Sequence, residues 1–222
     1  VQFETKIMSI TEKQNTYTST NTYSTLNDIG AKTKNIWIVF HGIGYLSRYF
    51  INFFDELNAY ENYIIAPQAP SKYYLNGAYK YVGASWLTKE NTRAETENVM
   101  NYIDALILNE GLPVDLNIII FGFSQGVSIA TRWVAKRKIV CSNLVLYAGG
   151  LPKELETKDF NFLHENKTAV TVIVGDKDEY LTPERMLSEN KRIDELFGKR
   201  AQKIVFKGGH EMKKEIINEL AF

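Results

Sequence analysis

Residues 116–126 read Leu116-Asn117-Ile118-Ile119-Ile120-Phe121-Gly122-Phe123-Ser124-Gln125-Gly126. The mainly apolar run from Leu116 to Phe121 has the character of a strand buried on both faces. It breaks at Gly122-Phe123-Ser124-Gln125-Gly126, and a helical stretch follows from Gln125 to about Ala135. Glycines two before and two after the serine remove side chains that would collide in a tight turn. Strand, turn and helix in that order lift a serine hydroxyl clear of the sheet edge, with a helix N-terminus beneath any developing negative charge. A Gly-x-Ser-x-Gly alone arises by chance in on the order of a few per cent of chains. The alternative is a glycine-rich turn with a passive serine. The strand before the turn and the helix after it favour a nucleophile.

Outward from this turn, strand and helix patterns alternate. Ile36 to Phe40, Tyr63 to Ala66, Leu144 to Tyr147, Val170 to Val174 and Lys203 to Phe206 are further short apolar runs. Helical spacing lies between most of them. It covers residues 47–59, 93–109 with a Thr92-x-x-Glu95 capping box, 183–197 with Thr182 as N-cap and Pro183 at the first position, and 211–220. Alternation of this kind predicts an α/β fold with a mainly parallel central sheet and helices on both faces. Residues 2–10 and 14–22, rich in Thr, Ser and Tyr, predict an antiparallel lead-in to the sheet. One segment breaks the rhythm. Pro67 to Asn91 is long, irregular and aromatic, and leaves the ligand-binding edge of such a sheet.

The 222 residues and 45% apolar content support one core, and a single domain over 1–222 is expected. Lys plus Arg is 26 and Asp plus Glu is 26, so no net charge points to nucleic acid. Lys136-Arg137-Lys138 reads as the solvated end of a helix. No apolar run approaches the ~20 residues of a membrane span. The lone cysteine, Cys141, permits no intramolecular disulfide, which fits a reducing, cytoplasmic compartment, and it reads as a small buried hydrophobe. The chain opens on Val1, which leaves a removed upstream segment, such as a signal peptide, as an alternative.

In the fold that this serine turn implies, a triad runs Ser, acid, His along the chain. Of the three histidines, His41 precedes the serine and His164 precedes every good acid that follows a strand. His210 remains, in Gly208-Gly209-His210-Glu211 after the last strand. The acid falls in Gly175-Asp176-Lys177-Asp178-Glu179, and the residues alone leave Asp176 and Asp178 both open. His41-Gly42-Ile43-Gly44 follows the strand ending at Phe40. A loop there supplies one oxyanion N–H, and the residue after the nucleophile, Gln125, supplies the other. His41 itself reads as structural.

These landmarks together resemble the phospholipase/carboxylesterase family of α/β-hydrolases, which includes acyl-protein thioesterases. The resemblance covers residues 36 to 212. It rests on His41-Gly42-Ile43-Gly44, Ala66-Pro67-Gln68-Ala69-Pro70, Ser85-Trp86, Gly122 to Gly126, Gly175 to Asp178 and Gly209-His210-Glu211. The family pattern implies that Asp178 is the acid and that Ile43 and Gln125 are the oxyanion donors. It also implies esterase, lysophospholipase or thioesterase activity with no metal or cofactor. Tyr45 stands where the family has Asp, Leu87-Thr88 where it has an aromatic and Asp, and Leu181-Thr182 where it has Val-Pro. All of these fall near the expected cleft.

The expectation is therefore a carboxylic ester or thioester hydrolase acting on small molecules through Ser124, Asp178 and His210, without nucleic acid or stable membrane insertion, with oligomerisation open. Gly44, Tyr74, Trp86 and Leu181 are expected to contact substrate, residues 71–87 forming a cleft wall. A serine peptidase of the same fold and a non-catalytic binding module are the alternatives. A propeller or large cap finds no room in 222 residues, and a binder has no need of serine, acid, histidine and oxyanion loop together.

Overall fold

The structure, a computed structural model, describes residues 10–221. In chain order the elements are β1 (Tyr23–Leu26), β2 (Asn35–Phe40), α1 (Ser47–Phe50), β3 (Asn62–Pro67), β4 (Ser71–Tyr74), β5 (Val82–Ser85), α2 (Thr92–Glu110), β6 (Asn117–Phe123), α3 (Gln125–Arg137), β7 (Asn143–Tyr147), α4 (Asn161–Glu165), β8 (Ala169–Gly175), α5 (Pro183–Phe197), β9 (Ala201–Phe206) and α6 (Lys214–Asn218). Seven strands form one sheet in the order β1-β3-β2-β6-β7-β8-β9. All its pairings are parallel except that of β1 with β3.

The period of two along each strand divides the core into two layers. Ile36, Ile38 and Phe40 face one cluster with Val99, Ile103, Val127 and Ile193 from α2, α3 and α5. Trp37 and Val39 face the other, with Phe50, Phe54 and Ile217 from the α1 region and α6. Helices thus cover both faces, as the unbroken apolar runs require. The last strand differs: β9 is an edge strand with Gln202, Lys203 and Val205 exposed.

Several local expectations shift. The antiparallel lead-in is present but falls at Tyr23–Leu26, not at 14–22. Residues 11–20 are exposed polar chain with no apolar face to bury, and the expected strand over 2–10 lies outside the described residues apart from Ile10. The helix expected over 47–59 stops after α1 and one 3₁₀ turn, Ile51–Phe54. Asn58 ends it: its side chain accepts from the Tyr60 N–H and its carbonyl from the Glu61 and Asn62 N–H groups. There is no Thr92 capping box. Asn91 precedes α2 in a left-handed conformation, and the Thr92 hydroxyl donates to the Thr88 carbonyl instead. Thr182 does cap α5, accepting from the Arg185 N–H. Pro67 to Asn91 holds the two-stranded hairpin β4–β5, whose first strand is exposed throughout.

At the sheet end away from the serine turn, β2, β3, β6 and β7 each begin on asparagine. Asn35 donates to Asn62 Oδ1 at 3.0 Å, Asn117 donates to Asn35 Oδ1 at 3.1 Å, and the Trp37 indole N–H donates to Asn62 Oδ1 at 2.9 Å. Asn35 and Asn62 are buried and Asn117 is exposed; the three amides pair across strands at fixed Cα partners, so they fix register as well as hydrogen-bonding one another. Asn62→Ala leaves the buried Trp37 indole N–H without its acceptor and is expected to cost about 1–3 kcal/mol. Urea unfolding checks this. The midpoint should fall at unchanged slope, and an unaltered midpoint would remove the ladder's structural role.

Candidate active site

Because the strands are parallel, the loops after β2, β6, β8 and β9 emerge at one edge of the sheet. Ser124 lies in the turn between β6 and α3 at φ 53° and ψ −119°, a conformation L-residues rarely adopt. The surroundings hold it there. A side chain at Gly126 would overlap the Phe40 carbonyl, and one at Gly122 would come within 2.6 Å of the Val127 backbone. The Ser124 N–H donates to the Tyr147 carbonyl at 2.9 Å, tying the turn to the next strand.

His210 reaches the serine from the loop after β9. Its Nε2 is 2.8 Å from Ser124 Oγ and its Nδ1 is 2.8 Å from Asp178 Oδ2. Asp178 is buried, and its other oxygen accepts the Tyr180 N–H at 2.9 Å. Asp176 turns elsewhere and accepts the Gly208 N–H at 3.0 Å. Glu179 accepts the His210 N–H at 3.2 Å. Three acids within four residues therefore take three different partners on the histidine loop. Rings of Phe123 and Tyr180 hold the imidazole from two sides, at 5.2 and 4.7 Å between centroids.

The loop after β2 is fixed by His41, which is fully buried. Its Nδ1 lies 2.7 Å from the Gly42 carbonyl, and its Nε2 accepts the Ala69 N–H at 3.1 Å. The ring thus carries its proton on Nδ1, and burial pulls its pKa down to about 4. Gln125 opens α3, so its N–H has no acceptor within the helix. Its side chain is committed elsewhere: the amide oxygen accepts the Trp86 N–H, and the amide nitrogen donates to the Leu87 carbonyl, both at 2.8 Å. Among the described residues, no three His, Cys, Asp or Glu side chains gather as a metal ion would require.

Ser124 and His210 open onto a cavity of about 1020 Å³. Ile43, Leu87, Leu151, Leu181, Met186 and Ile193 supply apolar wall. A serine hydrogen-bonded to a carboxylate-paired imidazole, at the start of a helix and beside an apolar hollow, can perform acyl transfer.

Residues 21–221 match the model of the phospholipase/carboxylesterase family. The chain belongs to this family. Membership makes it a carboxylic ester hydrolase with the α/β-hydrolase fold, and the match begins earlier than the motif-based resemblance did. Among solved structures it is similar to acyl-protein thioesterase 2 of Zea mays (15% identity, 90% of this chain and 96% of that one, TM-score 0.68). It is also similar to a phospholipase/carboxylesterase of Dyadobacter fermentans DSM 18053 (20% identity, 93% and 98%, TM-score 0.63) and to esterase PE8 (23% identity, 89% and 97%, TM-score 0.61). Such identities speak for the fold. No curated protein matches the chain.

Of the residues expected at the cleft, Leu181 lines the cavity and three do not. Trp86 is wholly buried: its indole N–H donates to the His41 carbonyl at 2.8 Å and its ring packs on Phe40. Tyr74 points from the exposed hairpin onto Tyr79, away from the cavity. Gly44 spends its N–H on the Ala84 carbonyl, joining the β2 loop to β5. Residues 71–86 thus buttress the site rather than wall it. The positions that depart from the family pattern fare differently: Tyr45, Leu87, Thr88 and Leu181 line the cavity, and Thr182 caps α5 instead. The structure also brings in Glu179 and Arg185, to which the sequence reading gave no role.

Two outcomes follow from this geometry. Asp178→Asn removes the acceptor that fixes the imidazole tautomer and should lower kcat by about three to four orders of magnitude. Asp176→Asn keeps an oxygen for Gly208 and should cost less than about tenfold. Steady-state assays of the two purified variants decide this, and the reverse order would transfer the role to Asp176. The second outcome concerns His41. The unfolded chain protonates this imidazole near 6.5 and the folded chain only near 4. Between those values the unfolded state binds more protons, so stability should fall as pH drops, by about 1.4 kcal/mol per unit. Urea midpoints from about pH 7 to pH 5.5 test it against His41→Asn, in which this component of the slope should vanish.

Proposed function

We propose that Ser124, His210 and Asp178 hydrolyse carboxylic esters or thioesters through an acyl-enzyme. The observation that carries this reading is the pair of 2.8 Å contacts from the His210 ring, one to the Ser124 hydroxyl and one to the buried Asp178 carboxylate. Ser124 Oγ attacks the carbonyl carbon as its proton passes to His210 Nε2. The carbonyl oxygen becomes an oxyanion beside the N–H groups of Ile43 and Gln125, an interaction worth several kcal/mol of barrier in such sites. As the C=O bond re-forms, the alcohol or thiol departs with the proton from His210. Water then attacks the acyl-serine by the same path, releasing the carboxylic acid and restoring Ser124. Asp178 keeps Nδ1 protonated and offsets the positive imidazolium in each step.

The apolar cavity fits an acyl or alkyl group, with Leu181 among its contacts. Thioesters are included because one structural neighbour is the acyl-protein thioesterase 2 of Zea mays. Partners are small-molecule substrates, and among the described residues no helix is long and apolar enough to cross a membrane. With its lone cysteine buried and unable to form an internal disulfide, the chain suits a reducing, cytoplasmic setting.

Ser124→Ala should abolish turnover, by at least about four orders of magnitude, with little change in melting temperature. A fluorophosphonate probe should label the parent protein at Ser124, located by mass spectrometry, and leave the variant unlabelled. Ester hydrolysis within tenfold of the parent, or labelling elsewhere, would end this reading.

A further inference from the structure

The cavity wall holds two arginines, and they differ in what they face. Arg132 is paired with Glu154 at 2.6 Å. Arg185, on the first turn of α5, has no carboxylate within 4.0 Å among the described residues. Its Nη1 donates to the Tyr180 carbonyl at 3.0 Å, which leaves Nε and Nη2 without a protein acceptor among those residues. The acid one helical turn on, Glu189, has one oxygen occupied: its Oε2 accepts the Leu151 N–H at 3.2 Å. Both side chains reach over Gly150, where an added Cβ would stand 2.9 Å from Glu189 Oε1 and 3.5 Å from Arg185 Nη2. The preceding residue, Gly149, packs against the Ser124 carbonyl. Chain dimensions then put the guanidinium no more than about 13 Å from the nucleophile's backbone.

We infer that Arg185 is a specificity-determining residue that binds an anionic substituent, a carboxylate or a comparable oxyanion, carried by the ester a few bonds from its scissile carbonyl. The inference rests on the esterase reading above and adds the substrate's charge to it. A planar guanidinium on the cavity wall, anchored through one nitrogen and with its remaining donors free of protein acceptors among the described residues, suits the geometry of a carboxylate. The Tyr180 tether has a second consequence. The same residue packs its ring on His210, so the anion site and the catalytic base hang on one short loop, Asp178 to Leu181. Glu189, beside the guanidinium, disfavours a second negative charge deeper in the cavity, so substrates with one charge near the carbonyl are preferred.

The test compares matched esters in the parent protein, Arg185→Gln and Arg185→Lys. Mono-4-nitrophenyl glutarate against 4-nitrophenyl pentanoate places the charge on the acyl side. 4-Acetoxybenzoate against phenyl acetate places it on the alcohol side. In one of the pairs, Arg185→Gln should lower kcat/KM for the anionic ester by about ten- to a hundredfold and leave the neutral ester within about twofold. Arg185→Lys should fall between. Added salt should slow the anionic ester in the parent protein and not in Arg185→Gln. Equal losses for charged and neutral esters in both pairs, or no losses, overturn the inference while the esterase reading stands. If neither kind of ester is cleaved, the esterase reading fails. Calorimetric titration with the stable amide, glutaric acid monoanilide, then decides the anion site: binding that Arg185→Gln weakens at least about tenfold supports it, and binding indifferent to the change overturns it.

Discussion

Ser124 holds a backbone conformation that costs of order 1–3 kcal/mol, and such a turn persists only where its surroundings leave no other path. Here the surroundings are backbone. Gly126 lies against the Phe40 carbonyl at the end of β2, and Gly122 against the first turn of α3. The pairing of β2 with β6 and the start of α3 are therefore locked at van der Waals contact, with no space for a Cβ. The loop His41 to Gly44 departs from the same carboxyl end of β2. The packing that strains Ser124 also sets how this loop lies against the serine turn, and a looser interface would relax both together.

The catalytic edge is then assembled by polar contacts between loops that have few apolar residues of their own. Asp176 and Glu179 accept backbone N–H groups of the histidine loop, and Lys213 at the far end of that loop donates its N–H to the Tyr147 hydroxyl. Gly175 lets the acid loop touch the carbonyls of Gly208 and Gly209. Only Asp178 is left with an oxygen turned to the ring itself. On the other side, His41, Gln125 and Trp86 form one buried hydrogen-bonded unit: Trp86 donates its indole N–H to His41 and its backbone N–H to Gln125. A neutral imidazole suits that unit, since a charge there would be desolvated without a counterion.

What surrounds this constant frame is variable. Tyr45, Leu87, Thr88 and Leu181 stand at positions where the chain departs from its family, and each contributes to the cavity wall. The elements that hold the strained serine turn lie within the sheet and the first loop. Much of the cavity wall comes instead from α5 and the segments around residues 87 and 150, where a side chain can change without disturbing that turn.

The sequence by itself determined the sheet, its helices on both faces and which serine and histidine the fold brings together. Apolar runs of strand length cannot be placed except as buried strands, and Gly-x-Ser-x-Gly between strand and helix admits one backbone path. His210 followed from chain order, because only three histidines exist. Asp176 and Asp178 stayed equivalent from the residues alone, since both are aspartates on one loop; the family pattern favoured Asp178, and the tertiary structure shows which carboxylate meets the ring. Aromatic content misled at Trp86 and Tyr74, because hydrophobicity does not state whether a ring faces a core, a cavity or solvent. The short α1 and α6 were hidden for a related reason: Leu57 closes a tight turn onto the Phe54 carbonyl, and the tethers at 209–213 divert backbone N–H groups that periodicity assigns to a helix. Arg185 carries no local signal at all. Its meaning depends on which carboxylates lie within reach, and only the fold decides that, because charge pairing acts through space between residues far apart along the chain.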